Sequence, residues 1–192
     1  QPRSRGLGDV YKRQVSNKEG LKDLISALAE ENVEIISSGG THKHIIELGF
    51  KAIEISEFTN HPEMMNGRVK TLHPKVHAGI LANREEHMHE LESMSYLPID
   101  LIVVNLYPFA ETVKSSKKFS EVIENIDIGG PTMIRAAAKN FKDVLVLSDP
   151  SQYEEFLSRK MEKTIDVDFR KRCAAKVFDL MSQYDSLISG YL

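Results

Sequence analysis

Asp100-Leu101-Ile102-Val103-Val104-Asn105-Leu106 is the stretch that decides the fold. Its apolar run lacks the alternation of a strand with one wet face, so it reads as a central strand buried on both sides, the kind found in parallel sheets. Parallel neighbours need crossover connections, which predicts helices between the strands. Upstream, Val33 to Ser37 is a second short apolar run, ended by Ser38-Gly39-Gly40-Thr41. Ile45, Ile46 and Leu48 then suit a helix that Gly49 terminates, giving strand, glycine turn and helix. Ala52 to Ile55 and Asp143 to Leu147 read as further strands. Between them, the polar stretch from Phe58 to Pro74 is too long for a mere connection, a common property of functional loops.

Helical signals fill the gaps. Ser16 and Glu19 fit a capping box, and Leu21, Leu24, Ile25 and Leu28 repeat at helical spacing, predicting a helix over 18–31. His87 to Met94 reads as a charged surface helix. Pro131, after Gly129 and Gly130, suits a first helical residue, and Ala136, Ala137 and Ala138 are strong helix formers. A last helix uses Phe169, Cys173, Val177, Phe178, Met181 and Tyr184 as its apolar face. Strands alternating with helices predict an α/β fold, an open, mostly parallel sheet flanked by helices with right-handed crossovers. Ligands bind such sheets beyond the carboxyl ends of the strands, where Ser38 to Thr41, Asn105 and Tyr107 fall, so one shared cleft is expected.

Composition narrows the function classes. The 192 residues are 41% hydrophobic and 28% charged, as in a soluble globular domain and unlike collagen, coiled coil or disordered chain. Cys173 is the single cysteine, which excludes an intramolecular disulfide or a multi-cysteine zinc cluster and makes a reducing, cytoplasmic setting the expectation. A formal charge of −3 lacks the basic footprint of a nucleic-acid binder, and no apolar run approaches the roughly 18 residues needed to span a membrane. Residues 1–14 stand apart with a net charge of +3, no initiator Met and no apolar signal core. They read as a foreign leader, with the domain proper running from 15 to 192.

Several groups could carry chemistry. Ser38-Gly39-Gly40-Thr41 offers free N–H groups and a helix dipole to a phosphate, although a plain turn and cap has the same signature. Ser16 and Lys18 could add a hydroxyl and a cation, or be an ordinary cap and an exposed lysine. Arg68 and Lys70, two apart in an extended segment, would face one way and hold an anion or a polarised carbonyl; a solvated basic loop is the plainer account. Asp127, between Ile126 and Ile128, is either a helix-capping group or a proton acceptor paired with Lys70 or Lys139. Lys139 lies roughly 12 Å down a helix starting at Pro131, so it reaches the cleft only from beside that helix. Asn105 and Tyr107 could contact a ligand through amide and phenol, or simply close a strand. His73 with His77, and His87 with His89, lack a third ligand at a zinc spacing, so no metal site is expected.

Taken together, residues 15–192 closely resemble the N-terminal IMP cyclohydrolase domains of bifunctional purine biosynthesis enzymes that also carry AICAR transformylase. The resemblance rests on Val15-Ser16-Asn17-Lys18, Ser38-Gly39-Gly40-Thr41, Pro62-Glu63-Met64-Met65 and Gly67 to Pro74. It continues through Asn105 to Phe109, Asn125 to Thr132 and Arg135 to Asn140. It implies a methylglyoxal synthase-like fold and ring closure of formyl-AICAR to IMP with loss of water, with no metal or redox cofactor, in a homodimer. Ser16, Lys18, Ser38, Gly40 and Thr41 would hold the ribose 5-phosphate. Arg68, Thr71, Asn105, Ile128 and Gly129 would surround the base, with Lys70, Tyr107, Asp127 and Lys139 as the catalytic group. The 10-formyltetrahydrofolate donor would belong to a transformylase domain that this chain lacks.

The resemblance departs at the start. An apolar strand ending in serine is implied where Tyr11-Lys12-Arg13-Gln14 stands, with Gln14 in the serine's place. Two other readings keep the phosphate loop. A nucleotide-sensing module would not need Lys70, Asp127 and Lys139. A methylglyoxal synthase would act on a triose phosphate, against which the loop through Lys70 and the Asp127 segment argue.

Overall fold

The computed structural model describes residues 10–15, by backbone alone, together with 19–106, 109–115 and 118–192. In chain order these are β1 (Val10–Val15), α1 (Leu21–Ala29), β2 (Glu34–Ser37), α2 (Gly39–Glu47), β3 (Ile53–Glu54) and α3 (Ile55–Thr59). A short helical turn (Met65–Gly67) precedes α4 (Pro74–Leu81), α5 (Met88–Ser93) and β4 (Leu101–Asn105). Then come α6 (Phe109–Ser115), α7 (Phe119–Glu124), α8 (Gly129–Lys139), β5 (Leu145–Leu147), α9 (Tyr153–Glu162) and α10 (Val167–Tyr191).

The five strands are all parallel, in the order β3-β2-β1-β4-β5. Every residue of β4 is buried, as its unbroken apolar run predicts. β1 sits between β2 and β4, with Lys12 opposite both Ile36 and Ile102. The end of the segment read as a leader, from Val10 onward, thus takes the place of the strand expected there, in the middle of the sheet. Neighbour pairing on both edges supplies the backbone hydrogen bonds that a strand needs whatever its side chains.

The helices bury their apolar stripes on this sheet. α8 packs on β4 and β5 and against α4 and α10, and α1 meets α9. α1 starts at Leu21, later than the capping-box reading, and its cap is Gly20, at φ 64°, rather than Ser16. Glycine is favoured there on two counts, since the left-handed φ strains other residues and a Cβ would stand 3.2 Å from the Tyr153 ring, a tight contact. α8 starts at Gly129, so Pro131 is its third residue, still within the first turn where its missing N–H costs nothing. On α10, Phe178 is 47% exposed and Ala174 is buried instead, because Phe178 follows buried Val177 by a rotation of about 100°.

His73 and His77 are built into α4 and its entry, and among the described residues no group of three potential ligands could hold a metal ion. His73 caps α4, its Nδ1 accepting the Lys75 N–H at 3.1 Å, ahead of Pro74 at the first helical position. That acceptor role needs the unprotonated ring. Burial, together with His61 and Lys75, pushes the His73 imidazole below its ordinary value of 6.5. The folded protein therefore binds this proton less well than the unfolded chain, so stability is intact above about pH 6.5 and falls as pH drops below it. His73→Asn keeps a capping acceptor without a proton to bind, and urea unfolding at pH 7.5 and 5.5 should show a smaller pH loss for this variant than for the parent.

Candidate active site

Beyond the carboxyl ends of β2 and β4 lies a cleft of about 760 Å³, a size suited to a small metabolite or mononucleotide. Three segments wall it: Ser38 to Thr41, Asn66 to Thr71, and Ile123 to Gly129, with Asn105 at its base.

The first wall is the head of α2. Ser38 is the extended N-cap residue, yet its hydroxyl makes no capping bond, and Gly39 follows at φ 55°. The Gly39 N–H donates instead to Glu54 Oε1 at 3.4 Å. Among the described residues nothing stands within 4 Å of where a Cβ of Gly40 would be, which leaves the backbone open to close approach by a ligand. Burial pushes the Glu54 carboxyl up, but hydrogen bonds from Ser56 and Gly39 and the charge of Lys70 outweigh it and hold the group below its ordinary value.

The second wall is a small hairpin. Met64 and Val69 exchange backbone hydrogen bonds of 3.1 and 3.3 Å, and Met65, Asn66 and Gly67 turn the chain with φ of 52°, 55° and 90°. Arg68 and Lys70 follow, but they do not stand as two unpaired cations. Arg68 forms a two-pronged pair with Glu124, one prong 3.0 Å long, and Lys70 Nζ lies 2.5 Å from Glu63 Oε2. Lys70 Nζ also lies over the head of α2, 3.4 Å from where a Cβ of Gly39 would be.

The third wall is the entry to α8. Asp127 Oδ1 accepts the Gly130 N–H at 2.9 Å, so the helix-capping role is present, and its carboxylate still lines the cleft. The Asp127 N–H donates to the Tyr184 hydroxyl of α10 at 2.9 Å. Burial raises that hydroxyl above its ordinary value, which keeps it neutral as the acceptor. Thr71 is buried against Gly129, and Ile128 stays exposed at the rim. At the base, the buried Asn105 amide donates to the Tyr153 hydroxyl at 3.2 Å.

The sequence-derived site residues therefore converge in part. Ser38, Gly40, Thr41, Arg68, Lys70, Thr71, Asn105, Asp127, Ile128 and Gly129 line one cleft. Ser16, Lys18 and Tyr107 lie outside the described residues. Lys139 is exposed at the last residue of α8, about 15 Å along the helix from Gly129 and toward the opposite edge of the sheet, so it does not reach the cleft of its own chain. Asp127 and Lys139 thus stand at opposite ends of α8. Sequence reasoning missed Glu54, Glu63, Glu124, Tyr153 and Tyr184. The two tyrosines come from distant helices, and only their polar tips on otherwise buried rings could have signalled a partner.

Glycine at 129 is a contact requirement, since a Cβ there would overlap Thr71 Oγ1. Gly129→Ala should destabilise the protein by about 1–3 kcal/mol in urea unfolding, and adding Thr71→Ala should recover part of that loss.

Comparison with known proteins agrees with this architecture. Residues 20–132 match the MGS-like domain, and residues 137–192 match the AICARFT/IMPCHase bienzyme. The chain is 54% identical over 181 residues to the bifunctional purine biosynthesis protein PurH of Clostridium botulinum, an alignment covering 93% of this chain and 36% of that protein. The PurH of Clostridium acetobutylicum is 53% identical over 182 residues, with the same coverage. The chain thus spans about a third of the length of these curated relatives. The solved structure titled "Crystal structure of ForH" superposes with a TM-score of 0.82 at 29% identity, covering 94% of this chain and 97% of that one. With its sheet, its cleft and the match over more than half its length in accord, the chain belongs to the MGS-like domain family.

Proposed function

We propose that this chain closes the ring of formyl-AICAR to give IMP and water, the cyclohydrolase half of a bifunctional purine biosynthesis enzyme. The observation that carries the reading is the meeting of Lys70, Asp127 and two glycine-rich helix entries in one cleft. The 54% identity to proteins named for purine biosynthesis supports the same substrate class.

In this reading the 5′-phosphate lies at the head of α2 on Ser38, Gly40 and Thr41, joined by Ser16 and Lys18, where the helix dipole favours an anion. The base lies between the Arg68 to Thr71 segment and the entry to α8, with Asn105 beneath it. The carboxamide nitrogen attacks the formyl carbon, forming the new C–N bond while the formyl oxygen gains negative charge. Lys70, assisted by Tyr107, stabilises that oxyanion. Asp127 accepts the carboxamide proton, which passes to the former formyl oxygen; the C–O bond then breaks as the formamido nitrogen gives up its own proton and forms the ring C=N, and the oxygen leaves as water with both protons. A carboxamide is a weak nucleophile, so holding both reacting groups in contact supplies much of the acceleration. Electrons balance without net oxidation or reduction, so the reaction calls for no redox cofactor, and charge stabilisation by Lys70 replaces a metal ion.

We assign the chain to the cytoplasm, as a homodimer acting on a purine ribonucleotide without nucleic acid or membrane as partner; no helix among the described residues is long and apolar enough to cross a membrane. Any role of Lys139 in the reaction then passes through the cleft of a second copy, because its own lies at the other end of α8.

Absorbance assays of IMP formation test the reading. Lys70→Ala should lower kcat by roughly 10²–10³-fold, the scale of losing one oxyanion donor, while IMP affinity changes far less. Unchanged turnover removes Lys70 from the chemistry, and IMP binding without any turnover in the parent protein replaces the enzyme by a nucleotide sensor. A mixture of Asp127→Asn and Lys139→Ala proteins, each inactive alone, should regain part of the activity if Lys139 serves a partner's cleft, and none if it does not.

A further inference from the structure

We infer that Glu63 is a positioning residue that fixes the Lys70 ammonium at the head of α2, an inference that rests on the cyclohydrolase reading above. Four features of the hairpin converge on this pair. The Met64–Val69 bridge sets Glu63 and Lys70 as the next cross-strand neighbours, close enough to pair through their side chains. Their Nζ–Oε2 distance is 2.5 Å, with the lysine side chain 22% exposed and the glutamate side chain 42%, so the contact is shielded from water on the lysine side. Gly67 takes φ 90°, and a Cβ there would meet Glu63 Oε1 at 2.7 Å, so the carboxylate fills the space that the missing side chain leaves. Met65 and Asn66 hold left-handed φ values that non-glycine residues adopt at a cost, a form of strain that concentrates at functional sites.

The arrangement answers a physical need. Lysine is a point charge on a four-carbon stem with many rotamers, and an oxyanion donor must be in place before charge develops. Glu63 holds the ammonium from the hairpin side, while Glu54 acts on it from β3 and Gly39 lies beneath it. Arg68, the other cation of the hairpin, is drawn away to Glu124 and does not compete for Glu63. Glu63 thus acts on the reaction only through Lys70.

Two measurements on the purified protein decide the matter. The first is steady-state IMP formation by Glu63→Gln and Glu63→Ala. The second is the rate at which an amine-acylating reagent labels Lys70 in the absence of nucleotide, read by peptide mass spectrometry. Loss of the partner should lower kcat about ten- to a hundredfold, as a small misplacement of a catalytic group does, with KM for formyl-AICAR within about twofold. Labelling of Lys70 should become severalfold faster, and added acetate should restore part of kcat to Glu63→Ala but none to Glu63→Gln, whose amide fills the space. A loss confined to KM, an unchanged kcat, or the same acetate response in both variants overturns the inference. If the parent protein makes no IMP at all, the cyclohydrolase reading fails, and labelling alone then decides: faster labelling in Glu63→Gln upholds the positioning of Lys70, and equal labelling overturns it.

Discussion

Parallel pairing on both edges of β1 is the constraint from which the rest follows. A strand that runs parallel to its neighbour can be reached only by carrying the chain back across the sheet, so every return ends at the same edge and every departure begins at the other. The segments leaving β2 and β4 therefore gather at one edge, and the cleft forms where they part on either side of the central strand. Helix α2 starts directly at this edge, and α8 is brought to it by the connection through α6 and α7. Both present glycines to the cleft, one for open backbone and the other for contact with Thr71.

Within that frame the cleft is electrostatically matched rather than simply basic. Lys70 and Arg68 each hold a carboxylate of their own chain, and Glu54 lies within the field of Lys70. The Arg68–Glu124 pair is exposed on both sides, so it is weak and readily exchanged for a ligand, whereas Lys70 is mostly shielded. The two cations that look equivalent in sequence thus differ in how firmly they are held, one adaptable and one fixed. Asp127 is fixed as well, by the Gly130 N–H and by Tyr184 behind its backbone.

The parts of the molecule that follow from local pattern were legible in the sequence. β4 is unbroken and apolar, the Ser38 to Thr41 turn is rich in glycine, and the alanine run makes a good helix, so the α/β class and most cleft residues could be read directly. What was not legible depends on distance. Tyr11-Lys12-Arg13-Gln14 carries no strand signal of its own; its strand conformation comes from the neighbours that pair with it. The Lys70–Glu63 and Arg68–Glu124 pairs are set by a left-handed turn and by packing of α7, neither of which has a local signature. Lys139 is a half-legible case: the 1.5 Å rise per residue sets it roughly 12 Å down the helix from Pro131, able to reach a cleft only from beside that helix, but it does not say whose cleft that is.

The central position of β1 also sets the order of events during synthesis. Its first partner, β2, follows closely, but Tyr11 meets Leu101 only after 90 more residues have been made. At a ribosomal rate of about 5–20 residues per second, β1 waits roughly 5–18 s with one edge unpaired. The half-sheet β3-β2-β1 thus leaves the inner edge of β1 open until β4 arrives, and the third wall of the cleft and the last strand, β5, follow only after that. Docking of β4 therefore covers the inner edge of β1, and the segment that supplies the last wall of the cleft is made between that strand and β5, which covers the edge of β4 in turn.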